Sequence, residues 1–255
     1  MIPTLIEIGP LPIRSFGLMV ALALIAGGMR LAKSFRLCGI DPRLAERYVT
    51  AAGISGLAGA RLWFIGEHWG EFRGDLVAAL FASAGFTFYG GFIIGSGVVI
   101  FMAWRDRVDI GKLCDALGPC LALGYAVGRL GCQLSGDGDY GITNDGFWSM
   151  SYSTGVVPTL PGQYVYPTPL FESSVSLLVL WLLTRVEGRP TILTGAFQRF
   201  GLYLALISLE RVWVESLRPN PELVAGLSEA QFIGLLFLAL GSLLMVRPAL
   251  QRAIT

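Results

Sequence analysis

Seven stretches of this sequence, near residues 16–34, 45–65, 86–104, 111–133, 170–185, 194–217 and 230–247, are apolar over about the length of a bilayer crossing. No other feature constrains the fold as strongly. The hydrocarbon core of a membrane is about 30 Å thick, so a spanning helix needs about 20 apolar residues. Inside that core every backbone N–H and C=O must be satisfied within the segment, which selects the α-helix for runs of this length. Composition agrees. Charged residues make up 15% of the chain, against about 25% in soluble domains, too few for a mostly water-facing surface. The expected architecture is an all-α, polytopic membrane protein with about seven transmembrane helices. A single integral-membrane domain over residues 1–255 has the lipid bilayer as its solvent.

Charge gives this architecture a direction. The formal net charge of +1 argues against a nucleic-acid partner, but the positions of the cations are informative. Arg30, Lys33, Arg36, Arg43, Arg47, Arg105, Arg107, Lys112, Arg185, Arg189, Arg199, Arg247 and Arg252 map to one side, and Arg14, Arg73 and Arg218 to the other. Cytoplasmic loops are enriched in Lys and Arg, so the N-terminus is expected outside (periplasmic) and the C-terminus in the cytoplasm. No basic region precedes the first apolar stretch, which is therefore expected to stay in the membrane as a helix. The loop over residues 135–168 falls outside. It has no Lys or Arg, carries Asp137, Asp139 and Asp145, and contains Pro158, Pro161 and Pro167. Residues 76–85 are too short to span and read as a re-entrant or interfacial piece. Cys38, Cys114, Cys120 and Cys132 lack metal-binding spacing and are expected as free thiols.

Three cations are left over: Arg61, Arg129 and Arg211, each within or at the outer end of a span. An arginine at mid-membrane costs roughly 2.5–3.5 kcal/mol on insertion scales, so each needs a reason to be there. Arg61 follows a run of small residues, and Arg129 lies in Gly128-Arg129-Leu130-Gly131 with Gln133 one turn on. Arg211, Glu215 and Arg218 share one helix face by spacing. Guanidinium groups from different helices suit bidentate binding of a phosphodiester. The competing reading is structural, with these arginines paired to Glu215, Glu172 or Asp137, or reaching the outer headgroups.

Several blocks around these arginines form a recognisable series. Gly128-Arg129-Leu130-Gly131-Cys132-Gln133 followed by Gly136-Asp137-Gly138-Asp139-Tyr140-Gly141 is one. Others are Phe16-Gly17-Leu18-Met19, Gly59-Ala60-Arg61-Leu62, Tyr89-Gly90-Gly91-Phe92-Ile93-Ile94-Gly95, Tyr166-Pro167-Thr168-Pro169-Leu170-Phe171-Glu172 and Glu210-Arg211-Val212-Trp213-Val214-Glu215-Ser216-Leu217-Arg218. In order and content they resemble the bacterial phosphatidylglycerol–prolipoprotein diacylglyceryl transferase family. Here Tyr89 and Tyr166 replace two family histidines, Phe16 a tyrosine, Cys132 the signature asparagine, and Asp137 a glutamate.

The resemblance implies a multi-pass enzyme of the bacterial inner membrane that needs no cofactor or metal. Its partners would be phosphatidylglycerol and the lipobox peptide of a preprolipoprotein. The diacylglyceryl group would pass to the lipobox cysteine thiol, giving a thioether and glycerol phosphate. Arg129 and Arg211 would clamp the phosphate, with Tyr89 and Asp137 as further catalytic candidates. Arg61, Gln133, Gly90, Gly91, Glu215, Arg218 and Tyr166 would serve substrate binding, Arg61 by orienting the acidic loop. Without a family histidine three routes stay open: Tyr89 as headgroup ligand only, a thiolate formed without a base, or Asp137 as proton acceptor. The only histidine, His68, reads as interfacial, and Cys132 as packing. Two other readings are a paralogue that handles a different lipid or acceptor, and an anion transporter. The transporter would call for an inverted repeat, which the sequence lacks.

Overall fold

A computed structural model describes residues 1–254 apart from 10, 83–84, 188, 190–192 and 225, and omits the side chains at 8, 11, 81, 222–224 and 247–254. The side chains of Arg247 and Arg252 and part of the 76–85 segment thus lie outside the described residues. The chain is mostly helical. Its long helices are α1 (Ser15–Cys38), α2 (Arg43–Glu67), α5 (Phe88–Arg105), α6 (Ile110–Ser135), α7 (Thr168–Glu187), α8 (Gln198–Glu215) and α9 (Glu229–Ile254). Short helices α3 (Trp69–Phe72) and α4 (Leu76–Phe81) lie between α2 and α5. Six of the long helices are long and apolar enough to cross a membrane. The exception is α8, whose 18 residues include Arg199, Glu210, Arg211 and Glu215.

Not every element is helical. An antiparallel hairpin of β1 (Thr4–Ile8) and β2 (Leu11–Arg14) precedes α1, and another of β3 (Glu222–Val224) and β4 (Leu227–Ser228) precedes α9. Each needs a tight reversal, and Gly9 and Gly226 supply positive φ angles of 59° and 77° there. The prolines at 3, 10 and 12 gave no hint of this pairing, because proline depletes the ladder donors.

The helices are arranged inside out relative to a soluble bundle. Leu18, Leu22, Ile25 and Met29 form an exposed stripe along α1, while Gly27, Leu31, Ser34, Phe35 and Cys38 are buried. Helix α6 is the axis of the molecule. It packs against α1, α7 and α8, and half of its apolar window is buried. Helix α2 pairs with α5 and α8 with α9, and both contacts are made by glycines. A Cβ on Gly90 would lie 2.2 Å from Trp63 Cβ and 2.6 Å from the Gly59 carbonyl oxygen, and one on Gly91 would lie 2.9 Å from the Gly56 oxygen. Only hydrogen at these positions lets α2 and α5 touch backbone to backbone.

One end of the bundle gathers most of the irregular chain. The loop of residues 136–167 folds back over the end of α6, with Val156 and Val157 donating to the carbonyls of Ser135 and Gly136. Gly136 ends α6 in the left-handed conformation, where a Cβ would collide with Gly155 Cα at 2.7 Å. The chain start joins this end, since Ile2 N–H donates to the Leu134 carbonyl at 2.8 Å.

Candidate active site

Glu172 lies just past the first turn of α7, and its side chain is fully buried. Burial of a carboxylate is tolerated only with compensating charge and hydrogen bonds. Here the compensation comes from three sides. Arg129 Nε of α6 lies 3.2 Å from it, Arg218 Nη2 donates at 2.8 Å, and Arg211 Nη1 of α8 lies at 3.5 Å. The Tyr125 hydroxyl, one turn before Arg129, donates to it at 2.8 Å, and the Arg129 guanidinium stands 5.1 Å from the Tyr125 ring.

Two more carboxylates complete the cluster. Asp139 pairs with Arg129 and lies 3.7 Å from Arg218. Glu215 pairs with Arg211 at 3.0 Å and accepts hydrogen bonds from Asn220 and the Ser228 hydroxyl. Asp139 is held by the loop: Thr168 Oγ1 donates to its carbonyl at 2.6 Å, and Ile142 N–H donates to the Leu217 carbonyl beside Arg218. Burial pulls the Asp139 carboxyl up, but the charges of Arg129 and Arg218 outweigh it and hold the group below the usual carboxylate range. Openness is graded, since the side chains of Arg211, Arg129 and Arg218 are 29%, 16% and 8% exposed. Arg211 therefore has the most room to meet another ligand. Glu210, next to it, is buried, and neither carboxylate oxygen has a hydrogen-bond partner among the described residues.

The structure brings Arg129, Arg211, Glu215 and Arg218 together, but Arg218 stands past the end of α8, in the turn after Glu215, rather than on the helix. Pairing of the arginines is real, with Asp139 where the sequence pointed to Asp137. Asp137 instead lies beside Cys132, and its carboxylate accepts the Asp139 N–H at 3.4 Å. The ligand atoms of Cys132, Asp137 and Asp139 lie within 4.8 Å of one another. That spacing is compatible with a metal, yet two guanidinium groups already occupy Asp139 and oppose a further cation.

Other candidates have different surroundings. Gln133 is buried and accepts the Tyr152 hydroxyl at 2.7 Å, which anchors the loop. Gly90 and Gly91 sit in the α2–α5 contact with no space for a ligand. Tyr166 exchanges backbone hydrogen bonds with Gly141 and Ile142 and so ties the loop beside α7. Arg61 donates to the carbonyls of Ala79 and Gly85 and stacks near Phe64 and Phe86. These contacts fasten the short α4 segment, not the acidic loop. His68 stacks on Phe64 at 4.3 Å. Tyr89, half exposed on α5, donates to Glu229 at 3.1 Å, with Arg211 in electrostatic reach.

Fold and site together define a multi-pass membrane protein with a buried arginine–carboxylate cluster at one end of its helices. A family model for prolipoprotein diacylglyceryl transferase matches residues 3–247. A phosphatidylglycerol–prolipoprotein diacylglyceryl transferase of Synechococcus elongatus is 30% identical over 253 residues, covering 96% of this chain and 86% of its own. The protein of that name from Nostoc sp. is 30% identical over 251 residues, with 94% and 86% covered. The one from Leptospira interrogans is 29% identical over 234 residues, with 81% and 71% covered. The chain belongs to the prolipoprotein diacylglyceryl transferase family.

Proposed function

We propose that this protein is the transferase its relatives are named for. It moves the diacylglyceryl group of phosphatidylglycerol to the lipobox cysteine thiol of a prolipoprotein, forming a thioether and releasing glycerol phosphate in the first step of lipoprotein maturation. The observation that carries this reading is the convergence of Arg129 and Arg211 on one buried carboxylate at the mouth of an apolar bundle. Breaking the glycerol C–O bond puts charge on the leaving phosphate, and preset guanidinium groups stabilise it without reorganising. Each guanidinium has five donors, so Arg129 and Arg211 hold their carboxylates and still offer N–H groups to a phosphodiester. Arg218, the least exposed of the three, braces Glu172, and Glu215 fixes Arg211.

The membrane placement belongs to the same proposal. Helix α8 is the one further span, sixth of the seven in chain order, with Arg211 and Glu215 neutralising each other as an ion pair. In this reading the chain is a single integral domain of a bacterial inner membrane, with residues 135–168 and the arginine cluster toward the periplasmic side and the C-terminus in the cytoplasm. Support comes from Arg30, Arg47 and Lys112 at the opposite end, where Arg30 pairs with Glu187 and Arg47 with Asp106. Purified protein incubated with phosphatidylglycerol and a lipobox peptide should add one diacylglyceryl mass to the peptide. No adduct, under conditions where the Synechococcus elongatus relative yields one, overturns the proposal.

A further inference from the structure

Thioether formation removes a proton from the substrate thiol, and no histidine is placed to take it. His68 Nδ1 lies 3.0 Å from the Phe64 carbonyl oxygen, and its ring is stacked on Phe64. The carboxylates of the arginine cluster are committed to guanidinium groups. Glu229, the first residue of α9, is exposed and accepts a hydrogen bond from the Tyr89 hydroxyl across 140 residues of sequence. Its place relative to Arg211 is fixed, because the neighbouring Ser228 donates to Glu215, which pairs with Arg211.

We infer that Tyr89 and Glu229 form a two-step proton relay, in which Tyr89 meets the substrate thiol and Glu229 receives the proton through it. The inference rests on the transferase reading above. The thiol S–H proton passes to Tyr89 Oη as the tyrosine's own proton passes to Glu229 Oε1. The sulfur electron pair forms the C–S bond to the glycerol carbon, the C–O bond breaks, and its electron pair leaves on the phosphate. Glu229, exposed, then returns the proton to water. A tyrosine alone is a poor acceptor because its phenol ionises at about 10, and the carboxylate hydrogen-bonded to it gives the displaced proton a destination. A thiol, which ionises at about 8.5, yields its proton along this route as the forming C–S bond consumes the thiolate. Arg211 from α8 is the further charged group in electrostatic reach of Tyr89, while Glu67 at the end of α2 is occupied by Trp63 and Thr87. Glu229 acts through Tyr89 and is a positioning residue for the proton.

The test is the initial rate of adduct formation by the full-length protein in phosphatidylglycerol vesicles, with a lipobox peptide, between pH 6 and 9. The wild type should be nearly level, since the relay removes the thiol proton during bond formation and does not wait for free thiolate. Glu229→Gln should be at least about tenfold slower near pH 6.5 and climb toward the wild-type rate by pH 9, because only thiolate already present then reacts. Glu229→Asp should keep the level profile. The double variant Tyr89→Phe/Glu229→Gln should be no slower than Tyr89→Phe alone, the non-additivity expected of one shared route. A Glu229→Gln rate equal to wild type, or lowered by one factor at all pH values, overturns the relay. A wild type that forms no adduct overturns the transferase reading beneath it.

Discussion

Replacing Glu172 by glutamine is the sharpest perturbation of the cluster. The change keeps the shape of the side chain and removes the charge that faces Arg129, Arg211 and Arg218. It also turns an acceptor oxygen into an NH2 group pointing at a guanidinium. Removing one partner of a buried charge network costs about 3–5 kcal/mol. The three arginines keep Asp139 and Glu215 and are partly exposed, so the lower end, about 3 kcal/mol, is expected. For a chain of this size about 2–4 °C of Tm goes with each kcal/mol, which gives a fall of about 6–12 °C. Thermal unfolding in detergent, followed by tryptophan fluorescence, reads this directly. Glu172→Asp, which keeps the charge but shortens the reach, should fall between the two. A Glu172→Gln protein melting within about 2 °C of wild type, less than 1 kcal/mol by the same scale, would show that the arginines are not organised around this carboxylate.

Other outcomes follow from the same geometry. Glu210→Leu should leave Tm unchanged or raise it, since the buried carboxyl has no hydrogen bond to lose among the described residues. Gly90→Ala should destabilise by about 1–3 kcal/mol or more, because its Cβ meets Trp63 and the Gly59 carbonyl. Gly97→Ala, with open space around it, should not. Asp139 is held below its usual range in the folded protein, so its contribution is complete at neutral pH and lost as pH falls through that lowered value. Melting at pH 7 and at pH 3 should therefore differ less in Asp139→Asn than in wild type. Arg211→Lys should lose most of the transfer rate in the adduct assay, since a point ammonium cannot bridge Glu172 and Glu215 and still meet a phosphate.

Much of this was legible in the sequence because a membrane enforces it. Six long apolar helices follow from the lengths of the apolar runs, and the cost of burying arginine singles out Arg61, Arg129 and Arg211, of which Arg61 turns to the α4 segment. The common acceptor of Arg129 and Arg211 was one of three candidates, Glu215, Glu172 and Asp137, among which the sequence did not choose. Glu172 is 43 residues from Arg129 and 39 from Arg211, so nothing local pairs them, although a lone acid in the apolar stretch 170–185 was itself a signal. Asp139 and Asp137 are two residues apart in a loop, and only its fold, through the Thr168 and Leu217 contacts, decides which one faces the arginines. Gly90 and Gly91 show the reverse problem. Glycine permits close approach of a ligand or of another helix, and the sequence carries no information on which arrives. The Tyr89–Glu229 contact joins α5 to α9, and no periodicity in either helix announces it.

The central claim is that Arg129 and Arg211 form the phosphate site of a diacylglyceryl transfer. Its most direct measurement is the mass of a lipobox peptide after incubation with phosphatidylglycerol and, in parallel, wild type, Arg129→Ala and Arg211→Ala. A diacylglyceryl adduct is expected with wild type, and its loss with each variant. An adduct formed at the wild-type rate by either arginine variant would contradict it.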